Sequence, residues 1–334
     1  MQPVFILEEP LYHRVRIGEV NRFRGVLLGA DRVQFVRNGA VIAEAEVNQP
    51  CPELAWLVHV PNATTSRFIA DVLVEPDATI EIKSGEETLF VYRVPELDRA
   101  MWDRVAALPV PPPDVVATTQ GGTNVESYRD SIFTGFQTTA VLLETDVSRI
   151  RDVIEVGCGT GRLLAGWYCD DPTRGLTGVD INAGLIAWTR ANLPDVAQWD
   201  VCALYPPLNL EGGRFDLALF GSVFTHLPLD CQKAWLRETQ RLLRPGGYAV
   251  ITLHGETHAH LLLDEPTRER YYKEGHLEFA AAAEGANAYS TFHTPEFARE
   301  LFRDFAEVRM HPRGDVQRGL FPMGSLQDVW VLRN

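Results

Sequence analysis

Asp152-Val-Ile-Glu-Val-Gly-Cys-Gly-Thr-Gly-Arg-Leu-Leu164 is an apolar run that gives way to glycine at every second position and then resumes with helix formers. A short apolar run bounded by turn residues reads as a buried strand, here Asp152–Val156. Gly157, Gly159 and Gly161 follow as G-x-G-x-G, where a backbone without Cβ can turn sharply and let a ligand approach. The helix expected over Gly161–Tyr168 offers its unpaired N–H groups to a polar ligand. A dinucleotide fold prefers G-x-G-x-x-G, with a glycine at 162. Arg162 stands there instead. Glu155, two residues before the first glycine, sets a carboxylate where a cation is better held than a pyrophosphate.

Outward from this segment, strand and helix patterns alternate, the signature of a parallel sheet. Strands are expected over Leu176–Val179, Val196–Trp199, Phe215–Phe220 and Tyr248–His254. Helices are expected over Val125–Asp146, Ala183–Leu193, Pro228–Leu243 and Thr294–Phe302, the last with a threonine cap and an early proline. Ala306–Met310 and Asp328–Leu332 fit a closing antiparallel hairpin. Residues 1–95 read differently, as short strands between turns: Val4–Leu7, Gly25–Leu28, Arg32–Val36, Val41–Val47, Trp56–Val60, Arg67–Val74, Thr79–Ile82 and Thr88–Val94. Asn38-Gly39 between two of them predicts a type I′ hairpin turn. The expected organisation is a β-sandwich-like domain over 1–95, a helix and Pro-rich linker over 96–118, and an α/β domain over 119–334. In the linker, a helix over Glu96–Leu108 stops at the stiff Pro109-Val-Pro-Pro-Pro113. The first domain carries no catalytic signature and reads as a stabilising or dimerising module, or as one that recognises a carrier, glycan or partner.

Of 334 residues, 31 are Lys or Arg and 45 are Asp or Glu, a net charge of −14 that repels a phosphate backbone. No nucleic-acid partner is expected. At 46% hydrophobic and 23% charged residues, the chain is an ordinary globular one. The opening residues lack the basic stretch of a secretory leader, and no run reaches the ~20 apolar residues that span a bilayer. Five cysteines without a C-x-x-C pair argue against a disulfide framework or a zinc cluster, so a cytoplasmic location is expected. His254, His258 and His260 form H-x3-H-x-H, but only the first two have helical spacing, and the first of them ends a strand. No metal is expected.

The glycine segment resembles the first motif of class I S-adenosylmethionine-dependent methyltransferases, and later signals follow in that family's order. The resemblance covers roughly residues 115–334. It implies an α/β, Rossmann-like, mostly parallel seven-stranded sheet of order 3-2-1-4-5-7-6, with S-adenosyl-L-methionine as cofactor. It also implies that the loop of Glu155, Gly157, Cys158, Gly159 and Gly161 contacts the methionine portion. Asp180, ending the second strand in Leu-Thr-Gly-Val-Asp-Ile181, would hold the ribose hydroxyls, with Ile181 on the adenine. Asp200, with Val201 beside it, would read the adenine amino group. Phe215-Asp-Leu-Ala-Leu-Phe-Gly-Ser222 matches the fourth-strand motif, with Gly221 at the strand end counted among the cofactor-binding residues, and Leu243-Arg-Pro-Gly-Gly-Tyr248 matches the turn before the fifth strand. Beside the resemblance, carboxylates at strand ends suit a hydroxyl-rich nucleoside, because charged hydrogen bonds are the stronger ones. Read locally, Asp180 is alternatively a helix cap, Asp200 a turn residue, Glu155 a partner for Arg162 and Cys158 a small packed side chain.

Methyl transfer from a sulfonium is an in-line displacement in which positioning does most of the work, but a hydroxyl acceptor usually needs a general base. His254, at the end of its strand, is the first candidate, and His226 in Phe-Thr-His-Leu is the second. His293 could also reach the ligand. The long connection from Gly255 to Ser290 carries Tyr271, Tyr272, His276, Phe279 and Tyr289, as a lid or acceptor wall, or as a hairpin with its own small core. The expected function is transfer of a methyl group to a small-molecule or saccharide acceptor, at oxygen. That preference rests on resemblance to enzymes that decorate glycans or secondary metabolites. The alternatives are a non-catalytic cofactor-binding module and an NAD-linked oxidoreductase. Association as a homodimer through the N-terminal β domain is a further expectation.

Overall fold

The computed structural model describes residues 3–10, 14–76, 78–93, 99–120, 125–281, 283, 285–286, 288–314 and 326–334. Among these, two compact units are formed. One draws on Met1–Asp98, Glu256–Glu269 and Pro312–Gln327, the other on Arg99–Gly255, Arg270–His311 and Asp328–Asn334. The boundary expected at 95/96, and the start of the helix expected from Glu96, lie outside the described residues.

The first unit has strands β1 (Val4–Glu9), β2 (Glu19–Leu28), β3 (Arg32–Arg37), β4 (Ala40–Glu46), β5 (Arg67–Val74), β6 (Thr79–Ser84) and β7 (Glu87–Arg93). They form two antiparallel sheets, ordered β1-β2-β5 and β4-β3-β6-β7. β5 alternates buried and exposed residues along its whole length, the period of a half-buried strand. Phe5, Phe23, Phe35, Phe68, Phe90 and Tyr92 fill one core drawn from both sheets, with Phe23 edge-on to Tyr92 at 5.1 Å. The Asn38-Gly39 turn is as expected, both residues having positive φ (50° and 77°). Trp56–Val60 is not a strand. Pro52–Leu54 forms a 3-10 turn, and the following amides continue to bond three residues back, Leu57 to Leu54 and Val60 to Leu57. Leu57 and Val60 join Val4, Val26 and Leu261 in a second cluster, which draws in helix α7 (Glu256–Leu262) of the same unit.

The second unit is wound around β8 (Asp152–Val156). Its other sheet strands are β9 (Gly175–Asp180), β10 (Gln198–Val201), β11 (Phe215–Phe220), β12 (Leu243–Leu253), β15 (Glu307–His311) and β16 (Asp328–Arg333). Their order is β10-β9-β8-β11-β12-β16-β15, parallel from β10 to β12 and antiparallel at β16 and β15. This is the expected 3-2-1-4-5-7-6. β12 begins at Leu243 rather than Tyr248, because Arg244–Gly247 runs on as strand with Gly246 at φ 80°. Helices α4 (Arg162–Asp170), α5 (Ala183–Asn192), α6 (Leu229–Leu242) and α9 (Pro295–Leu301) connect the strands.

The expected linker contributes α1 (Arg99–Ala107) and α2 (Pro113–Gln120), which lead into α3 (Val125–Leu142). Proline ends the first of these, and Pro113 occupies the first turn of the next, where its missing N–H costs nothing. Trp102 of α1 packs edge-on against Phe133 of α3 at 5.8 Å. After α8 (Glu265–Glu274), strands β13 (His276–Ala280) and β14 (Tyr289–His293) form a separate two-stranded hairpin. Strand order reverses between β8 and β11, and the crevice beyond the carboxyl ends of the strands at such a point is where ligands sit in this architecture.

Candidate functional site

The glycine loop is held open by backbone conformation. Gly157, Gly159 and Gly161 all have positive φ (70°, 54° and 75°), a region that side chains disfavour. Gly157 and Cys158 donate their amides to the Val179 carbonyl (2.8 and 3.1 Å), tying the loop to β9. A Cβ at Gly161 would run into the Trp199 ring. Cys158 is buried, and burial holds its thiol well above the ordinary range, so it is a packed and inert side chain.

Glu155 is 4% exposed. Burial pushes its carboxyl up to about 8, against the lowering influence of Arg162 and the Leu164 amide. Its Oε2 has no hydrogen-bond partner among the described residues, which is costly unless something else satisfies it.

Asp180 ends β9 and is 7% exposed. Its Oδ2 accepts the Gly159 amide at 2.8 Å and its Oδ1 accepts the Asn182 amide at 2.7 Å. It is therefore not the cap of α5. Asn182 is, accepting from Gly184 and Leu185. Beside Asp180, Ile181 and Val201 are 45% and 48% exposed, unusual for apolar residues at sheet ends. Asp200, one residue along β10 from Val201, is exposed, and its Oδ1 accepts from the Arg190 guanidinium at 2.6 Å. The structure brings Glu155, the glycines, Asp180, Ile181 and Val201 to one end of the sheet, and it ties Asp200 to α5.

On the other side of β8, β11 ends at Phe220. Gly221 and then Ser222 follow, the latter in the left-handed region (φ 56°) with its amide donating to the Thr252 hydroxyl at 2.7 Å. The chain then makes a 3-10 turn over Phe224–His226. His226 is half-buried; its Nδ1 lies 2.7 Å from the Tyr289 carbonyl, and its own carbonyl accepts the Gly285 amide at 2.9 Å. His254 follows β12 and is buried, packing on Phe292 at 5.2 Å and edge-on to His226 at 6.2 Å between ring centres. His293 is fully enclosed, with Nε2 2.9 Å from Gln232 Oε1 and burial pushing it well below its ordinary range. It is a structural residue of the hairpin.

Gln232, Gly285 and the Tyr289 carbonyl were not read from the sequence. Gln232 did leave a signal, a polar residue on the face of α6 that buries Cys231, Trp235 and Leu236. No metal site is assembled: among the described residues no group of three or more His, Cys, Asp or Glu is placed to hold an ion. His258 instead pairs its Nδ1 with the Leu326 carbonyl at 2.7 Å, and burial lowers it to about 4. Among the described residues, no helix is long and apolar enough to cross a membrane.

The strand order and the loop at its switch point define a Rossmann-like unit. Residues 154–251 match a family model described as a methyltransferase domain. A 105-residue stretch is 34% identical to the malonyl-[acyl-carrier protein] O-methyltransferase of Hahella chejuensis, covering 30% of this chain and 36% of that one. The chain thus spans about a third of the length of that curated relative. Among solved structures, a SAM-dependent methyltransferase from Methanosarcina mazei is 20% identical, over 55% of this chain and 92% of that one, at a TM-score of 0.41. The Burkholderia thailandensis 1,6-didemethyltoxoflavin-N1-methyltransferase is 17% identical, over 77% and 95%, at 0.43. Residues 154–251 thus carry a methyltransferase domain on a Rossmann-like fold.

Proposed function

We propose that the protein transfers a methyl group from S-adenosyl-L-methionine to a small-molecule or glycan-type acceptor, at oxygen. The observation that carries the cofactor reading is the pairing of Asp180 with the glycine loop, through Gly159, beside a buried Glu155 oxygen that lacks a partner. Glu155 fits the cationic amino-acid end. Asp180 retains lone pairs for two ribose hydroxyls, and Ile181 and Val201 offer apolar surface to a flat base. Asp200, through its free oxygen, is assigned to the base's amino group. When bound, the cofactor supplies an electrophilic methyl on a sulfonium; the residues of this chain orient it and exclude water. Acceptor chemistry at oxygen is supported by the name of the Hahella chejuensis relative, an O-methyltransferase.

The reading is tested by thermal denaturation with S-adenosylhomocysteine and with NAD. A ligand at 100 times its Kd adds about 2.7 kcal/mol of stability. The homologous nucleoside should raise Tm and NAD should leave it unchanged; a rise with NAD alone would overturn the proposal. A homodimer through the N-terminal β unit belongs to the same reading. Val20 and Leu73, paired across β2 and β5, leave apolar surface exposed there, and light scattering reads the mass directly.

A further inference from the structure

We infer that His226 Nε2 is the proton acceptor of the site, held in the correct tautomer by the β13–β14 hairpin, and that the acceptor is a neutral hydroxyl that must lose a proton. The inference rests on the methyl-transfer reading.

A backbone carbonyl only accepts, so the Nδ1 that lies 2.7 Å from the Tyr289 oxygen carries the ring proton. In a neutral imidazole the other nitrogen then holds a lone pair. Nε2 has no hydrogen-bond partner among the described residues, and it is not among the buried polar atoms that lack one. Among the described residues it is therefore an unpartnered acceptor that solvent reaches. The same turn leans on the glycine loop: Val223 packs so close to Gly157 that a Cβ there would overlap it. His226 thus belongs to the turn whose first residue, Val223, packs on the loop assigned to the methionine portion.

The hairpin fixes this arrangement by contacts that converge on the turn. The Thr291 hydroxyl donates to the Phe224 carbonyl (2.8 Å). Gln232 Nε2 donates to the carbonyls of Phe224 (3.0 Å) and Leu227 (2.8 Å), while its Oε1 receives the His293 ring N–H. The Tyr289 hydroxyl donates to Glu278 (2.6 Å), whose other oxygen accepts the Leu229 amide (2.9 Å). Gly285 closes the turn on His226 and also lies over the nucleoside end, where a Cβ would come within 2.8 Å of Leu204 and 3.1 Å of Ile181. The connection of this hairpin therefore touches both the Phe224–His226 turn and Ile181. His254 is placed less well for the role, because its side chain is buried.

In the proton step the acceptor's O–H gives its proton to Nε2. The imidazole becomes an imidazolium, stabilised by the Tyr289 carbonyl behind it, and returns that proton to water. The test begins with the unliganded, 15N-labelled protein at about pH 8, where an ordinary histidine is neutral. Long-range nitrogen–proton spectra should show His226 protonated at Nδ1 only. Diethyl pyrocarbonate should modify His226 at least about tenfold faster than buried His254, since only a bare, accessible nitrogen reacts. An Nε2-protonated ring, or equal rates at the two residues, would overturn the inference. Calorimetry with S-adenosylhomocysteine separates it from the reading beneath: His226→Asn should bind as wild type does. If wild type itself fails to bind, the methyltransferase reading falls whatever the tautomer shows. If only His226→Asn loses binding, His226 belongs to the cofactor grip and the inference falls.

Discussion

The two sides of the crevice are built on different plans. On the side proposed for the cofactor, Glu155, the three glycines, Asp180 and Ile181 come from adjacent strands, and the hydrogen bond that joins them links residues 21 apart. On the side proposed for the acceptor, His226 is set by a carbonyl 63 residues away, and Thr291 reaches Phe224 across 67. The first side is built from short-range geometry at neighbouring strand ends. The second depends on the β13–β14 hairpin folded back onto the end of β11.

If the two sides are separable, substitutions should split cleanly between binding and turnover. The largest effect is expected at His226. With the hydroxyl acceptor found by screening sugars, phenols and acyl compounds for labelled methyl uptake, His226→Asn should lower kcat about a hundredfold to ten-thousandfold with KM little changed. An unaltered kcat would return the role to His254. Asp180→Ala should weaken S-adenosylhomocysteine by about a hundredfold, the loss of two charge-assisted hydrogen bonds at about 1.5 kcal/mol each. Equal affinity would mean that the ribose is held elsewhere.

Glu155 sharpens the comparison through pH. Its carboxyl is raised in the folded protein, from 4.5 to about 8. Its stabilising contribution is therefore complete below about pH 4.5 and is lost as pH rises through 8, by a few kcal/mol at most. Glu155→Gln should flatten that decline in urea titrations of the unliganded protein. A cationic ligand favours the ionised form, so binding of S-adenosyl-L-methionine near neutral pH should release a proton. Calorimetry in two buffers of different ionisation enthalpy reads that release, and it should vanish in Glu155→Gln. The smallest effect is expected at Asp200, which is exposed and shares its charge with Arg190. Asp200→Asn should weaken the nucleoside by less than about tenfold, since exposed charge interactions are screened.

The sequence was most legible where pattern and backbone agree. Asp152–Val156, Arg67–Val74 and Phe215–Phe220 are strands to the residue, because an apolar or alternating run bounded by turn residues leaves few other solutions. The sheet order followed from the family resemblance. Trp56–Val60 misled because its apolar residues serve a coil that packs Leu57 and Val60 inward while Trp56 and Val58 face water. The acceptor side was only half legible. His226 was named, but its orientation depends on a carbonyl, and a carbonyl has no side-chain signature. Gln232 spends its whole side chain on four partners that no spacing rule connects.

The most direct measurement is a crystal structure with S-adenosylhomocysteine bound. The ribose hydroxyls should lie on the Asp180 carboxylate, the base between Ile181 and Val201, and the amino-acid end against the Gly157–Gly161 loop near Glu155. Density for the ligand at another place, or none in a correctly folded protein at saturating concentration, would contradict the account.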